Sequence, residues 1–144
     1  MDVIHRHYDR IGDEAYIYDS WLKNYRIPGC PQPIYYIGHR KVINSLLKNR
    51  DTEIIVAHLY GAPELIFGYA VVNKQKNILH WVYVKNNYRG HGIAHNLLDE
   101  LDWNMPVFFT HRWSDTWIER RVQDDPKYVN LVYNPYLLQA EDTI

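Results

Sequence analysis

The chain contains a single cysteine, Cys30, which excludes an intrachain disulfide and fits a reducing compartment. Cys30 lies in Pro28-Gly29-Cys30-Pro31, where an incidental loop residue is a simpler reading than a catalytic thiol. No apolar run approaches the ~20 residues that a bilayer helix needs. The start, Met1-Asp2-Val3-Ile4-His5-Arg6-His7, lacks the apolar centre of a secretory signal, so a cytoplasmic location is expected. An excess of one charge is missing as well. The net charge is −1 and the pI is about 6.7, so no broad basic surface is available for nucleic acid. Clusters such as His39-Arg40-Lys41 read as ordinary solvated faces. Repeats and low-complexity tracts are absent, and no composition shift divides the chain. The expectation is one domain over residues 1–144, large enough for a proper core.

Apolar residues make up 47% of the chain, which rules out a disordered polymer. Thirteen tyrosines and five tryptophans exceed ordinary core needs and hint at a cleft or an interface. A short strand is expected from Val3 to Tyr8. Asp13 then reads as the cap of a helix over Ala15 to Tyr25, in which Ile17, Trp21, Leu22 and Tyr25 recur at helical spacing. Pro28, Pro31 and Pro33 make a stiff linker, and a second helix runs from about Tyr36 to Lys48. Three strands follow, at Glu53–Tyr60, Leu65–Asn73 and Ile78–Lys85, with connections too short for crossovers, hence an antiparallel meander. A helix from about His91 to Trp103 leads to a strand over Pro106 to Thr110. A crossover of that kind makes this strand parallel to the third strand of the meander. In the tail, Ser114 could cap a helix carrying Trp117, Ile118, Arg121 and Val122, and Tyr128 to Tyr133 alternates like a strand.

The chemistry concentrates in the stretch from Leu79 to Leu98. An apolar strand runs through Arg89-Gly90-His91-Gly92-Ile93-Ala94 into a helical segment. Glycines let the backbone approach a ligand closely, and amides at a helix start face outward beside a partial positive charge. This predicts an anion site for phosphates. A Walker loop is excluded because its Gly-Lys-Ser/Thr ending is missing. A dinucleotide fingerprint is excluded because three closely linked strands precede the glycines.

Arg89-Gly90-His91-Gly92-Ile93-Ala94 matches Arg/Gln-x-x-Gly-x-Gly/Ala. With Tyr83-Val84 before it and Leu97-Leu98 after it, this resembles the acyl-CoA site of the GCN5-related N-acetyltransferases, the GNAT superfamily. The element order is similar too. The resemblance implies an α/β (α+β) fold with a mixed, mainly antiparallel central sheet flanked by helices. It implies acetyl-CoA as co-substrate, held at its diphosphate by the amides of Arg89, Gly90, His91, Gly92, Ile93, Ala94 and His95. The pantetheine arm would pair with Val82, Tyr83 and Val84, where this strand parts from the next. An amide there would hold the developing oxyanion, worth about 3 kcal/mol in comparable sites. In composition and length the chain also looks similar to small bacteriophage-borne members, which would place it in the cytoplasm of an infected bacterium.

An acceptor amine of pKa about 10.4 is almost wholly protonated at neutral pH, so a base must take a proton. Family members often carry an acid for this on the third or fourth strand, and none stands between Leu65 and Tyr88. His80 is the nearest titratable candidate, with Glu53 a distant second. For protonating the leaving thiolate, the resemblance points to a tyrosine after the fifth strand: Tyr128 first, then Tyr133, although the usual Tyr-Gly-Phe context is missing. His91 and His95 share a helix face, but no third ligand stands at metal spacing, so no metal site is expected. The segment containing Asp13, Asp19, Trp21, Tyr25 and Arg26 covers the acceptor cleft in related folds. The acceptor is an amine of unspecified identity, on a protein or a small molecule. Homodimerisation, common in the family, is left open. The competing expectations are a catalytically silent CoA-binding or protein-interaction module, favoured by the missing carboxylate, and a purely structural factor.

Overall fold

The computed structural model describes residues 2–112 and 125–138. The apolar runs of the sequence pair into one six-stranded sheet in the order β1-β2-β3-β4-β5-β6. The strands are β1 (Val3–His7), β2 (Glu53–Leu59), β3 (Ala62–Asn73), β4 (Ile78–Val84), β5 (Val107–Phe109) and β6 (Leu131–Tyr133). Pairing is antiparallel from β1 to β4 and parallel across β4-β5 and β5-β6. The mixed, mainly antiparallel sheet and the parallel β5 are as the sequence predicts.

Helix α1 (Arg10–Asn24) and helix α2 (Gln32–Lys48) cover the face of β4 that carries Trp81 and Tyr83. Trp21 on α1 stacks on Trp81 with ring centres 5.5 Å apart and planes within 4°. Tyr69 on β3 shares a 2.8 Å hydrogen bond with Ser20 and donates to the Ile17 carbonyl, so its buried hydroxyl is satisfied by the helix it packs against. The opposite face, with Leu79, Val82 and Val84, is equally buried, an extra residue at His80 interrupting the alternation of β4, and α3 (Ile93–Leu98) lies against β3 and β4.

Four sequence expectations are corrected. Asp9, not Asp13, caps α1, accepting from the Ile11 amide at 3.2 Å. Asp13 lies inside the first turn, 2% exposed, gripping Arg6 of β1 through bonds of 2.6 and 2.9 Å and accepting from the Asp9 amide. The same guanidinium donates to the Pro63 carbonyl, tying β1, α1 and the start of β3 together. Helix α2 begins at Gln32, four residues early, because Pro33 sits in the first turn, where a missing amide costs nothing.

Helix α3 spans only Ile93–Leu98 instead of continuing to Trp103. The Trp103 indole takes the Leu98 carbonyl at 2.7 Å. Asn77 clamps the Asp102 amide and carbonyl and the Pro106 carbonyl, at 2.8–2.9 Å. These side chains outcompete the helix for its last carbonyls. Tyr128 ends a short 3-10 turn (Pro126–Tyr128) rather than opening the last strand, since Asp125 caps that turn through the Lys127 amide. The helix proposed around Ser114, Trp117, Ile118, Arg121 and Val122 lies outside the described residues. Among those described, no helix is long and apolar enough to cross a membrane.

Candidate active site

Strands β4 and β5 pair at only two positions, Ile78↔Phe108 and Leu79↔Phe109, and the Thr110 amide makes the last link to the Leu79 carbonyl at 3.2 Å. From His80 onward the strands part. Val82, Tyr83 and Val84 keep their bonds to Ala70, Tyr69 and Gly68 of β3, while their other edge faces the opening. A sheet opened in this way offers backbone amides and carbonyls to a third, extended partner.

After Val84 the chain makes a 3-10 turn, Asn86–Tyr88, then the glycine loop. Arg89 folds back so that its Nε donates to the Val84 carbonyl at 3.0 Å, fixing the loop to the end of the strand. Gly90 and Gly92 adopt φ +85° and +78°, a conformation that costs an L side chain strain, and Gly92 opens α3. A β-carbon on either glycine would meet nothing within 4 Å, so the space above them is open. Val84, Tyr88, Arg89, Gly90, Gly92, Ile93, Ala94 and His95 line a cavity of about 320 Å³. Ile93 and Ala94 are buried beneath it, and His91 is exposed. An open, small-residue cradle beside a parted strand fits an elongated ligand with a phosphate end.

The His95 ring points to chemistry the sequence did not single out. Its Nδ1 lies 2.9 Å from the Tyr128 hydroxyl and its Nε2 lies 3.3 Å from the Lys127 ammonium. Lys127 in turn bonds Asp99. An ammonium only donates, so Nε2 accepts and the ring's single proton sits on Nδ1, donated to Tyr128. The phenol proton is thereby directed away from His95. Tyr128 is 3% exposed and packs edge-on against Trp103 at 4.8 Å.

His80 is fully buried where β4 leaves β5, its Nδ1 2.9 Å from the Thr110 hydroxyl. Thr110 contacts His111 Nδ1 at 3.0 Å, and His111 Nε2 meets His39 Nε2 on α2 at 3.1 Å. Burial lowers the His39 pKa to about 4 and pulls His111 well below the usual imidazole value, helped for His111 by its neighbours His39 and His80. Both rings are neutral at neutral pH. Trp21, Tyr25 and Trp81 surround His111, and the Trp21 indole nitrogen has no partner among the described residues. Glu53 begins β2, beside Lys74 and opposite Val72 of β3, so β3 stands between it and β4. Tyr133 is half-exposed on β6, against Phe109. Among the described residues no three His, Cys, Asp or Glu side chains are grouped for a metal.

The comparisons agree with this geometry. Residues 37–105, which hold most of α2, the meander, the glycine loop and α3, match the family model of the acetyltransferase (GNAT) domain. No curated protein matches the chain. Among solved structures, a Pyrococcus furiosus protein described as an acetyl transferase has 15% identity and a TM-score of 0.51, over 99% of this chain and 91% of its own. A GCN5-related N-acetyltransferase from Rhodopseudomonas palustris has 16% identity and a TM-score of 0.50, over 69% of this chain and 62% of its own. An acetyltransferase-like protein from Salmonella typhimurium, solved with acetyl-CoA, has 16% identity and a TM-score of 0.42, over 70% and 61%. Residues 37–105 thus match the GNAT acetyltransferase domain model, and the sheet order along nearly the whole chain is that of the GNAT fold.

Proposed function

We propose that this protein is an N-acetyltransferase that binds acetyl-CoA along the glycine loop and the open edge of β4, and passes the acetyl group to a primary amine. The observation that carries this reading is the continuity of two features: the cavity lined by Arg89–His95 residues and the edge of Val82–Val84 left by β5. Arg89, Gly90, His91, Gly92, Ile93, Ala94 and His95 would hold the diphosphate through backbone amides, and Val82, Tyr83 and Val84 would pair with the pantetheine amides. Acetyl-CoA supplies the acetyl group as a reactive thioester. An amide on the open edge of β4 would donate to the carbonyl oxygen as negative charge builds there. His80, at the apex of the opening, is the proposed base for the amine, and Tyr128 the proposed proton donor to the sulfur. Direct attack with both substrates bound needs no protein nucleophile. The absence of a carboxylate between Leu65 and Tyr88 is met by imidazole chemistry at His80 rather than by inactivity.

The test is isothermal titration of CoA and acetyl-CoA, followed by acetyl-CoA consumption with a pooled library of primary amines. Binding with consumption is the expected result. Gly92→Val, which needs a branched residue at φ +78° over the cradle, should abolish binding while leaving the circular dichroism spectrum intact. Failure of the unaltered protein to bind CoA would overturn the reading. Binding without consumption of any amine would reduce it to a CoA-binding module.

A further inference from the structure

A lysine ammonium stands at the rim of the glycine-loop cavity, outside the motif. Lys127 Nζ lies 3.3 Å from Nε2 of His95, and His95 lines that cavity. The same ammonium bonds Asp99 at the end of α3 and lies 5.7 Å from the centre of the Tyr128 ring. The backbone of Lys127 is fixed on both sides. The Asp125 carboxylate accepts from its amide at 2.9 Å, and Tyr128, the next residue, is buried against Trp103. A lysine side chain gives up rotamer entropy when it is held, and an ion pair open to solvent repays little of that loss. Here the Lys127 side chain is 26% exposed and that of Asp99 52%. Full positive charge is also scarce in the cavity. Of the described residues that line it, Arg89 alone carries one, and its Nε already serves the Val84 carbonyl.

We propose that Lys127 is a cofactor-binding residue, the second cation for the CoA diphosphate, and that Asp99 competes with the diphosphate for it. This rests on the acetyltransferase reading above, which lays the diphosphate along Arg89–His95. A diphosphate carries a negative charge on each phosphate, and the loop amides set only partial positive charge against them. Lysine meets phosphate as a point charge on a flexible stem. Rotation about its outer bonds exchanges an Asp99 oxygen for a phosphate oxygen while Asp125 and Tyr128 keep the backbone in place. The exchange is ion for ion, so the ammonium is never left without an anion, and the more exposed carboxylate is the one returned to water. The His95 ring, between the ammonium and the cavity, is held at its other nitrogen by Tyr128 and stays put as the lysine turns. A bracing role and a binding role differ in sign. If the Lys127–Asp99 pair only ties the tail to α3, breaking it from either end weakens CoA binding. If Lys127 serves the diphosphate, removing the Asp99 charge releases the cation and strengthens binding.

The experiment is calorimetric titration of the full chain with CoA and with dephospho-CoA, for the parent, Lys127→Met, Asp99→Asn and the double variant. Lys127→Met should lose roughly tenfold in CoA affinity, and the loss should shrink as salt rises from about 0.05 to about 0.5 M, because charges this exposed are screened. Asp99→Asn should bind CoA roughly threefold more tightly. That gain should vanish in the double variant, where no ammonium remains to be released. Dephospho-CoA keeps the diphosphate and lacks only the 3′-phosphate, so it should show the same loss in Lys127→Met. Weaker CoA binding by Asp99→Asn would overturn the inference, as would a gain of equal size with and without Lys127, which would mark the carboxylate's own charge as its cause. A Lys127→Met loss seen with CoA and absent with dephospho-CoA would move the lysine to the 3′-phosphate and overturn the assignment to the diphosphate. If the parent binds no CoA, the acetyltransferase reading falls and takes this inference with it. If the parent binds CoA and Asp99→Asn binds it less well, this inference alone falls. Should Lys127→Met not fold, the sign of the Asp99→Asn effect decides, tighter binding supporting the proposal and weaker binding overturning it.

Discussion

Gly68 sits opposite Val84, at the last rung of β3-β4 before the glycine loop. A β-carbon placed there would lie 2.3 Å from the Tyr83 carbonyl oxygen and 3.0 Å from the Val84 α-carbon. Both neighbours are backbone, so no rotamer relieves the clash, and β4 must move outward by about 1 Å to reach ordinary contact. Overpacking of that kind costs about 2 kcal/mol. For a domain of this length that lowers Tm by about 7 °C. Urea unfolding of Gly68→Ala should show a reduced midpoint with an unchanged slope, the mark of a less stable native state. The displaced strand also carries the Val84 carbonyl that anchors Arg89, so CoA affinity measured by titration should fall with stability. Gly38→Ala serves as the control, because that helical position has nothing within 4 Å of a new β-carbon. It should leave stability equal or raise it by about 0.5 kcal/mol. A Gly68→Ala protein as stable as its parent would refute the claim that this close approach sets the line of β4.

Three further predictions follow from the same structure. For Asp13, burial pushes the carboxyl upward, but Arg6 and the Asp9 amide outweigh it and hold the pKa below the usual value. Its contribution is therefore complete above about pH 4 and lost as pH falls through the depressed folded value. Asp13→Asn should cost about 3 kcal/mol at pH 7, a gap that urea titrations should find narrowing steadily toward pH 2. Asn77→Gly keeps the φ of +56° accessible but removes three bonds to the segment after α3. Hydrogen exchange at residues 99–106 should accelerate, and Asn77→Ala should be worse by about 1 kcal/mol because of the strained φ. Tyr128→Phe should destabilise by about 1 kcal/mol, since the His95 Nδ1 proton loses its acceptor. It should also slow amine acetylation while leaving CoA binding unchanged in titration.

The meander was legible because its signals are local. The links Tyr60-Gly61 and Lys74–Asn77 are too short for anything but antiparallel hairpins, and Gly90 and Gly92 mark a turn needing positive φ. The parallel placement of β5 also followed, because a helix crossover allows little else. The lengths of α3 and β6 were not legible. The first is cut by Asn77 and Trp103, the second by the Asp125 cap, and each is a side chain competing with a backbone ladder. Asp13 misled for a related reason. Its carboxylate looks like a cap in sequence, yet Arg6, seven residues earlier, claims it.

At the site the division is sharper. The motif Arg89–Ala94 is legible in the sequence alone, because its glycines and small residues stand in consecutive positions. His80 was visible as a titratable residue on the right strand. Its connection to His39 was not, because His111 and His39 lie 72 positions apart and meet only when α2 folds over the parted strands. Likewise, His95 read as a loop amide, while Lys127, 32 residues on, settles which of its nitrogens holds the proton. Sequence by itself determined where glycines and other small residues follow one another in the turn after β4, a property of neighbouring residues. Only tertiary structure decided which polar side chains meet, because that depends on hydrogen-bond distances between groups far apart in the chain.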